Sequence, residues 1–303
     1  MAIGWVNRIC QSGSGQTIRY AIWENEACHD GKTIIFINGR NEFIEKYDEL
    51  PSELGKVCLT GLRRFITWDH PGQGGSGGRR SHICSFDEYA DLACQIIREN
   101  LSEGSVYSVI AHSMGALIAL YAVGTGFLRP ERMFLSSPFL GVPDRWPERL
   151  FAQPISFMMV HLGLGYMRVG LSPFGREEKF SGNQRTHSRR KFYRLLAAPY
   201  DGRKPTFYWL RAALAAIRYV HRPEALAQLH QVPVSIWIAE EESVVSQDAI
   251  LKWVSRATNA GYSVTVRHCA GALHEILYEI PGICHAVLVD IGSELTMKNK
   301  AGI

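Results

Sequence analysis

A serine flanked by small residues has the clearest potential for chemistry, since residues 111–115 read Ala-His-Ser-Met-Gly. A β-branched run precedes this pentapeptide, and good helix formers follow it. A serine in a tight turn between a strand and a helix needs small residues two positions away on either side, and Ala111 and Gly115 meet that need. The free N–H groups at the start of the helix would favour an oxyanion there. The pattern predicts that Ser113 is a nucleophile, and an ordinary surface serine is the alternative.

Other elements must place a base and an acid beside this serine, and the hydropathy pattern predicts where they lie. Residues 33–37 and 64–68 are continuously apolar, which is typical of strands buried on both faces. Residues 17–23 alternate weakly, which predicts an edge strand or a hairpin arm. Further strands are predicted at 132–136, 234–239 and 262–268, and helical segments from about 274 and 281 close the chain. Strands that alternate with helices predict an α/β fold with a mostly parallel central sheet flanked by helices.

The alternation of strands and helices stops between residues 138 and 224. This stretch is rich in aromatic, Met, Pro and Arg residues and has several short helical patterns. We interpret segment 138–224 as a helical cap inserted over the carboxyl ends of the strands, where ligands of such sheets bind. Residues 1–137 and 225–303 then form the core domain.

A serine hydroxyl is a weak nucleophile that needs a base, and the base needs an orienting acid. Where a serine lies in such a turn, acid and base follow it in that chain order, each in a loop after a strand. His274 follows the strand predicted at 262–268, and the three glutamates at 240–242 follow the strand predicted at 234–239. His274 is therefore the predicted base and one of the glutamates the acid, with Asp248 as the alternative acid.

Other ionisable residues fit these roles less well. Asp69 precedes Ser113 in the chain, so we predict that it fixes the Pro-Gly-Gln-Gly turn at 71–74 instead. Three further histidines, at positions 112, 268 and 285, are predicted to serve packing or to lie at the surface and not to act as the base.

Stabilising an oxyanion requires two N–H donors, of which the start of the helix supplies one through Met114. The second is expected in the loop after the strand at 33–37, where Arg40 is the candidate by position. Gly39 permits a close approach of the backbone in that loop. We predict Gly39 and His112 as substrate-contacting residues.

Composition limits the class of protein. The chain has 303 residues, of which 46% are hydrophobic and 20% charged, as in a globular protein of one domain with an insertion. A net charge of +4 is too small to predict a nucleic-acid partner. Residues 176–224, however, include twelve Lys and Arg residues but only four Asp and Glu residues. This excess favours attraction to an anionic surface or a phosphate-bearing substrate, with a solvated basic face as the alternative.

The cysteines and the N-terminal residues predict the cellular location of the protein. Seven scattered cysteines without a C-x-x-C pair favour free thiols and argue against a disulfide framework or a zinc site. Residues 1–15 lack the basic and apolar regions of a signal peptide, and 151–171 is interrupted by polar residues. We predict a cytoplasmic protein without metal or cofactor, peripheral at most to the inner face of the membrane.

Taken together, the motifs resemble those of bacterial lysophospholipases and monoglyceride lipases, serine aminopeptidase S33-like members of the serine α/β-hydrolase superfamily. The motifs that carry the resemblance lie at 38–42, 46–47, 69–76, 111–115, 240–245 and 271–277. The resemblance extends over about residues 17–289 and excludes segment 138–224. Asn38 and Ala111 depart from the usual residues, but neither substitution removes a catalytic atom.

The resemblance implies an α/β-hydrolase fold and hydrolysis of a carboxylic ester that carries one fatty acyl chain. The position of the acid in the corresponding loop of the family aligns with Glu242. The resemblance therefore implies Ser113, Glu242 and His274 as the catalytic set. Met114 and Arg40 would bind the oxyanion through their N–H groups, and Glu275 is interpreted only as a helix-start residue. Apolar residues of segment 138–224 would line an acyl channel or form the core of the cap, namely Phe151, Ile155, Phe157, Met158, Met159, Val160, Leu162, Leu164 and Met167. The basic run at 185–191 would contact phosphate headgroups or an anionic membrane surface.

Two alternatives remain open beside this lipid-ester hydrolase. One is an esterase or an aminopeptidase-like hydrolase that uses the same residues on another small acyl substrate. The other is a non-catalytic binding protein on the same fold, because a fold alone does not establish an activity. An aspartate nucleophile is disfavoured because the turn carries a serine.

Overall fold

The computed structural model describes residues 3–142, 149–170, 179–200 and 202–297, with the backbone alone for 149–151. Segment 138–224 is thus described in part, and the side chain of Phe151 lies outside the described residues.

The described residues contain a sheet of eight strands, which are β1 (Ile3–Gln11), β2 (Thr17–Asn25), β3 (Lys32–Ile37), β4 (Leu62–Trp68), β5 (Ser108–His112), β6 (Met133–Ser136), β7 (Val234–Ala239) and β8 (Val264–Cys269). Their order in the sheet is β1-β2-β4-β3-β5-β6-β7-β8. Pairing is antiparallel between β1 and β2 and between β2 and β4, and parallel in the rest of the sheet. The predicted mostly parallel sheet is confirmed.

Helices cover both faces of the sheet. The helices outside segment 138–224 are α1 (Leu50–Val57), α2 (Asp87–Asn100), α3 (Met114–Gly124), α8 (Gln247–Asn259) and α9 (Pro281–Thr296). Those in or next to the segment are α4 (Arg149–His161), α5 (Arg189–Leu196), α6 (Phe207–Val220) and α7 (Pro223–Ala227). One core lies against α2, α3, α6 and α8, and a second lies against α1 and α9. Because α3 lies between the sheet and α6, ten of its eleven residues are buried.

The segment predicted at 17–23 is confirmed as a hairpin arm, β2, but its partner, the edge strand β1, was not predicted. Most of β1 is exposed, so the strand carries no hydrophobic alternation by which the sequence could reveal it. After His274 the chain forms only a short 3-10 helix (Ile276–Tyr278) before α9 begins.

Candidate active site

Ser113 occupies the turn between β5 and α3 with φ 51° and ψ −115°, a backbone conformation that is strained for a residue with a side chain. Gly115 makes this turn possible. A Cβ atom there would lie 2.0 Å from the Ile37 carbonyl oxygen and 2.5 Å from that of Asn38. The first turn of α3 is therefore packed directly on the loop that follows β3, which brings Ser113 close to that loop.

We expect Gly115→Ala to destabilise the fold by about 3 kcal/mol, because backbone atoms rather than a flexible side chain must move to admit the methyl group. Gly282→Ala is the matched control, since Gly282 is likewise the second residue of a helix but a Cβ there meets no atom within 4 Å. That change should alter stability by no more than about 1 kcal/mol. Urea unfolding of both variants measures the difference, and equal stabilities would contradict the packing argument.

Ser113, His274 and Glu242 form a hydrogen-bonded series across three loops. The Ser113 Oγ lies 3.0 Å from His274 Nε2, and His274 Nδ1 lies 2.7 Å from Glu242 Oε2. Because a carboxylate can only accept, the proton of a neutral imidazole belongs on Nδ1, which leaves Nε2 free to accept the serine proton. The arrangement can therefore raise the nucleophilicity of Ser113.

The side chain of Glu242 is fully buried. Burial alone would raise the pKa of its carboxyl, but hydrogen bonds from His274 and from the Val244 and Val245 N–H groups outweigh this, so the pKa lies below its ordinary value. The other acids considered, Glu240, Glu241 and Asp248, are exposed. Of the four acids, Glu242 is the one hydrogen-bonded to His274.

Two backbone N–H groups have no acceptor among the described residues, that of Met114, which follows Ser113, and that of Arg40 in the loop after β3. Gly39 is different. Its N–H group donates to Glu42 Oε2 at 2.5 Å, and a Cβ at Gly39 would lie 3.0 Å from that carboxyl. The N–H group of Gly39 is therefore already used, and its lack of a side chain makes room for Glu42. Its contact with substrate stays a prediction.

His112 is buried as well, with 1% of the residue exposed. Its ring lies 4.9 Å from the His274 ring, and its Nδ1 lies 3.4 Å from Ser136 Oγ. Burial lowers the pKa of His112 well below its ordinary value, so the ring is neutral at physiological pH. His112 thus packs against His274, and its contact with substrate stays a prediction.

A buried cluster of charges behind these residues was not predicted. Lys46 Nζ lies 2.5 Å from Glu42 Oε1 and 2.9 Å from Glu275 Oε2, and all three side chains are at most 7% exposed. The Tyr47 hydroxyl donates to Glu42 Oε2. Glu275 is thus a buried partner of Lys46 and not only a helix-start residue. The spacing of four residues from Glu42 to Lys46 was the available signal.

The loop that carries His274 is held by residues of segment 138–224. The N–H groups of His274 and Glu275 donate to the carbonyls of Gln184 and Arg185. The buried carboxylate of Glu279 accepts from the N–H groups of Leu273, Ile280 and His187, and from His187 Nδ1. The position of His274 is therefore coupled to this part of the segment.

Asp69 fixes the loops beside the site, in agreement with its predicted role. Its carboxylate accepts hydrogen bonds from the N–H groups of Gly75 at 2.7 Å and Ile44 at 2.9 Å. Arg19 also donates to it. His268 and His285 are exposed, as predicted.

Two further properties concern only the described part of the chain. There, no cluster of His, Cys, Asp or Glu residues is arranged to bind a metal ion. No helix there is long and apolar enough to cross a membrane. All seven cysteines are free thiols.

Comparisons with known proteins agree with this architecture. The family described as serine aminopeptidase, S33, matches residues 29–281. A probable lysophospholipase L2 of Haemophilus influenzae is 29% identical over 280 residues, which cover 88% of this chain and 85% of the relative. The solved structure of a Paleococcus ferrophilus monoacylglycerol lipase superposes with a TM-score of 0.70 at 18% identity, over 92% of this chain and 98% of that one. A carboxyl esterase from Bacillus coagulans gives a TM-score of 0.76 at 15% identity, over 97% and 98% of the two chains.

The predicted fold and the predicted resemblance are confirmed by these matches. The structural likeness establishes the fold, and the family match covers most of the chain. The chain belongs to the serine aminopeptidase S33 family of α/β-hydrolases.

Proposed function

We propose that this chain hydrolyses the carboxylic ester of a single-acyl lipid through an acyl-enzyme on Ser113. The observation that carries the proposal is the hydrogen-bonded series from Ser113 through His274 to the buried Glu242. Two N–H groups without acceptors among the described residues support an oxyanion site, that of Met114, which follows Ser113 in the chain, and that of Arg40, in the loop on which the first turn of α3 packs.

In the proposed reaction, Ser113 Oγ attacks the ester carbonyl while His274 Nε2 takes the serine proton. Glu242 holds the imidazole and stabilises its charged form, and the Met114 and Arg40 N–H groups stabilise the oxyanion. His274 then gives the proton to the departing alcohol. A water molecule, deprotonated by His274, attacks the acyl-enzyme and releases the fatty acid.

A lysophospholipid is the substrate that we favour, because the Haemophilus influenzae relative is a probable lysophospholipase L2. Monoacylglycerol is the alternative lipid, since it presents the same single-acyl ester without a phosphate. A small acyl ester or an aminopeptidase substrate would use the same residues without a long acyl chain.

Hydrolysis of a matched substrate panel tests the proposal. Protein whose active serines have been counted with a fluorophosphonate would be given oleoyl lysophospholipid, oleoyl monoacylglycerol and p-nitrophenyl esters of increasing chain length. We expect kcat/KM to rise with chain length and both lipids to be cleaved. A preference for acetyl or butyryl esters would instead favour the small-ester alternative.

We propose further that segment 138–224 is a cap over the site. In support, residues 184–187 bind the loop of His274, and Arg203 accepts a hydrogen bond from Arg40. The apolar side chains predicted to line an acyl channel are largely exposed, with Ile155, Phe157, Met158, Leu162, Leu164 and Met167 between 40% and 64%. Such exposed apolar side chains favour contact with lipid over a buried cap core.

Peripheral contact with an anionic membrane surface forms part of this proposal, and free thiols fit the cytoplasmic side of a membrane. Arg189 and Arg190 on α5 are exposed, and the side chain of Arg190 is 78% exposed. Lys191 is unsuitable as a lipid contact, because its Nζ donates to the Glu279 carbonyl.

We expect the double variant Arg189→Gln/Arg190→Gln to bind phosphatidylglycerol vesicles about 10- to 30-fold more weakly, since each basic residue near such a surface contributes about 1 kcal/mol. Vesicle sedimentation at several salt concentrations measures the effect. Arg63→Gln/Arg98→Gln removes the same charge from two other exposed positions and serves as the control. Equal weakening by both pairs, or binding that salt does not affect, would contradict a specific contact.

A further inference from the structure

Arg40 reaches from the loop after β3 to segment 138–224. Its Nη1 donates to the Arg203 carbonyl at 3.2 Å, and its guanidinium lies 5.6 Å from the centre of the Trp209 ring. Asn41 Nδ2 and Ser81 Oγ donate to the same carbonyl, at 3.3 and 2.9 Å. The Arg203 carbonyl therefore accepts hydrogen bonds from Asn41 and Ser81 even without Arg40.

The charge of Arg40 is not balanced within the protein. Among the described residues no carboxylate forms an ion pair with it, and its other guanidinium N–H groups have no hydrogen-bond partner. Burial lowers the pKa of this guanidinium below its ordinary value. Arg40 is half-buried, and a cation that has lost part of its water is stabilised when an anion accompanies it. By contrast, the buried Lys46 has two carboxylates.

A series of contacts through segment 138–224 links the Arg40 guanidinium to Ser113. Trp209 stacks on Phe139, with ring planes 14° apart, and the Phe139 N–H group donates to the Ser113 carbonyl at 3.1 Å. The backbone N–H group of Arg40 is one of the two proposed oxyanion donors. In the proposed reaction, one residue would thus donate its backbone N–H group to the oxyanion and present a cation from its side chain.

We propose that the Arg40 side chain binds the phosphate of the substrate headgroup and so selects lysophospholipid over uncharged monoacylglycerol, an inference that rests on the proposed lipid-ester hydrolysis. In a lysophospholipid only glycerol carbons separate the ester from the phosphate. A guanidinium can donate two parallel hydrogen bonds to phosphate oxygens, and Arg40 has N–H groups free for them.

The test compares two substrates on the same protein samples. Oleoyl lysophosphatidic acid and oleoyl monoacylglycerol, each in neutral detergent micelles, would be given to wild type, Arg40→Gln and Arg40→Lys. The readout is the ratio of the two kcat/KM values, which does not depend on the fraction of folded protein. We expect this ratio to fall about 10- to 100-fold in Arg40→Gln, the loss expected for charge-assisted hydrogen bonds, and less in Arg40→Lys.

Arg79→Gln is the matched control. Arg79 also donates to a carbonyl of the segment at 3.2 Å, that of Tyr166, and lies over an aromatic ring at 5.0 Å, but it is exposed. Its replacement should leave the substrate ratio unchanged. A fall in the ratio for both variants would mean that Arg40 only supports the segment, and this would overturn the inference.

The other outcomes separate the two proposals. Wild-type protein that cleaves both lipids, with a ratio that Arg40→Gln does not change, would overturn the inference and leave the proposed function standing. An unchanged ratio together with altered inhibition by oleate would assign Arg40 to the fatty-acid carboxylate instead. Wild-type protein that reacts with fluorophosphonate but cleaves neither lipid would overturn the proposed function, and this inference with it.

Discussion

Fluorophosphonate labelling should disappear completely in Ser113→Ala, and kcat for lipid-ester hydrolysis should fall about 10⁵- to 10⁶-fold. Among the side chains described, Ser113 is the hydroxyl hydrogen-bonded to His274, so no neighbouring hydroxyl can replace it. Sequencing of the labelled peptide from wild-type protein should place the label on Ser113.

Ser105→Ala is the control for this experiment. Ser105 is exposed and precedes the first residue of β5, whereas Ser113 follows the last. Replacement of Ser105 should therefore leave both labelling and hydrolysis intact. If folded wild-type protein took no label, the assignments of base and oxyanion donors would be wrong. A non-catalytic binding protein on the same fold would then become the better proposal.

The three residues of the proposed catalytic set could be predicted from the sequence because each has a local signal. Ser113 lies between small residues, and His274 follows an apolar strand in the expected chain order. Each of these signals lies within a few residues of the catalytic residue in the sequence, so it can be recognised without the structure. The choice of Glu242 among three glutamates needed the family pattern, because in sequence the three look alike.

The buried cluster of Glu42, Lys46 and Glu275 could not be predicted in this way. Lysine and glutamate are almost always exposed, and only the three-dimensional fold places their side chains out of contact with water. The burial of His112 agrees with the packing role predicted for it, but its contact with the His274 ring depends on the elements that surround it.

The coupling of segment 138–224 to the site also depends on contacts that are distant in sequence. Residues 184–187 hold the loop of His274, and Arg203 accepts from Arg40. The sequence indicates the insertion but not these hydrogen bonds, because carbonyl oxygens carry no sequence signal. A movement of the segment would therefore displace the base and the Arg40 side chain together.

Glu242→Gln should lower kcat about 10³- to 10⁴-fold while the protein still folds and binds substrate. Glu242 Oε1 accepts the N–H groups of Val244 and Val245, so the carbonyl oxygen of a glutamine would take that position. The amide NH₂ group would then face His274 Nδ1 as a donor. This would place the imidazole proton on Nε2, where it faces Ser113 and prevents the ring from acting as a base.

Glu241→Gln provides the matched control, because Glu241 is the neighbouring residue and is exposed. Its replacement should change kcat by no more than about twofold, as expected for a surface charge. Active-site-titrated kinetics on one lysophospholipid distinguish the two variants. An equal fall of kcat in both variants would mean that the charge of the whole loop supports the reaction. A fall of kcat confined to position 242 means that the tautomer of His274 depends on a single carboxylate.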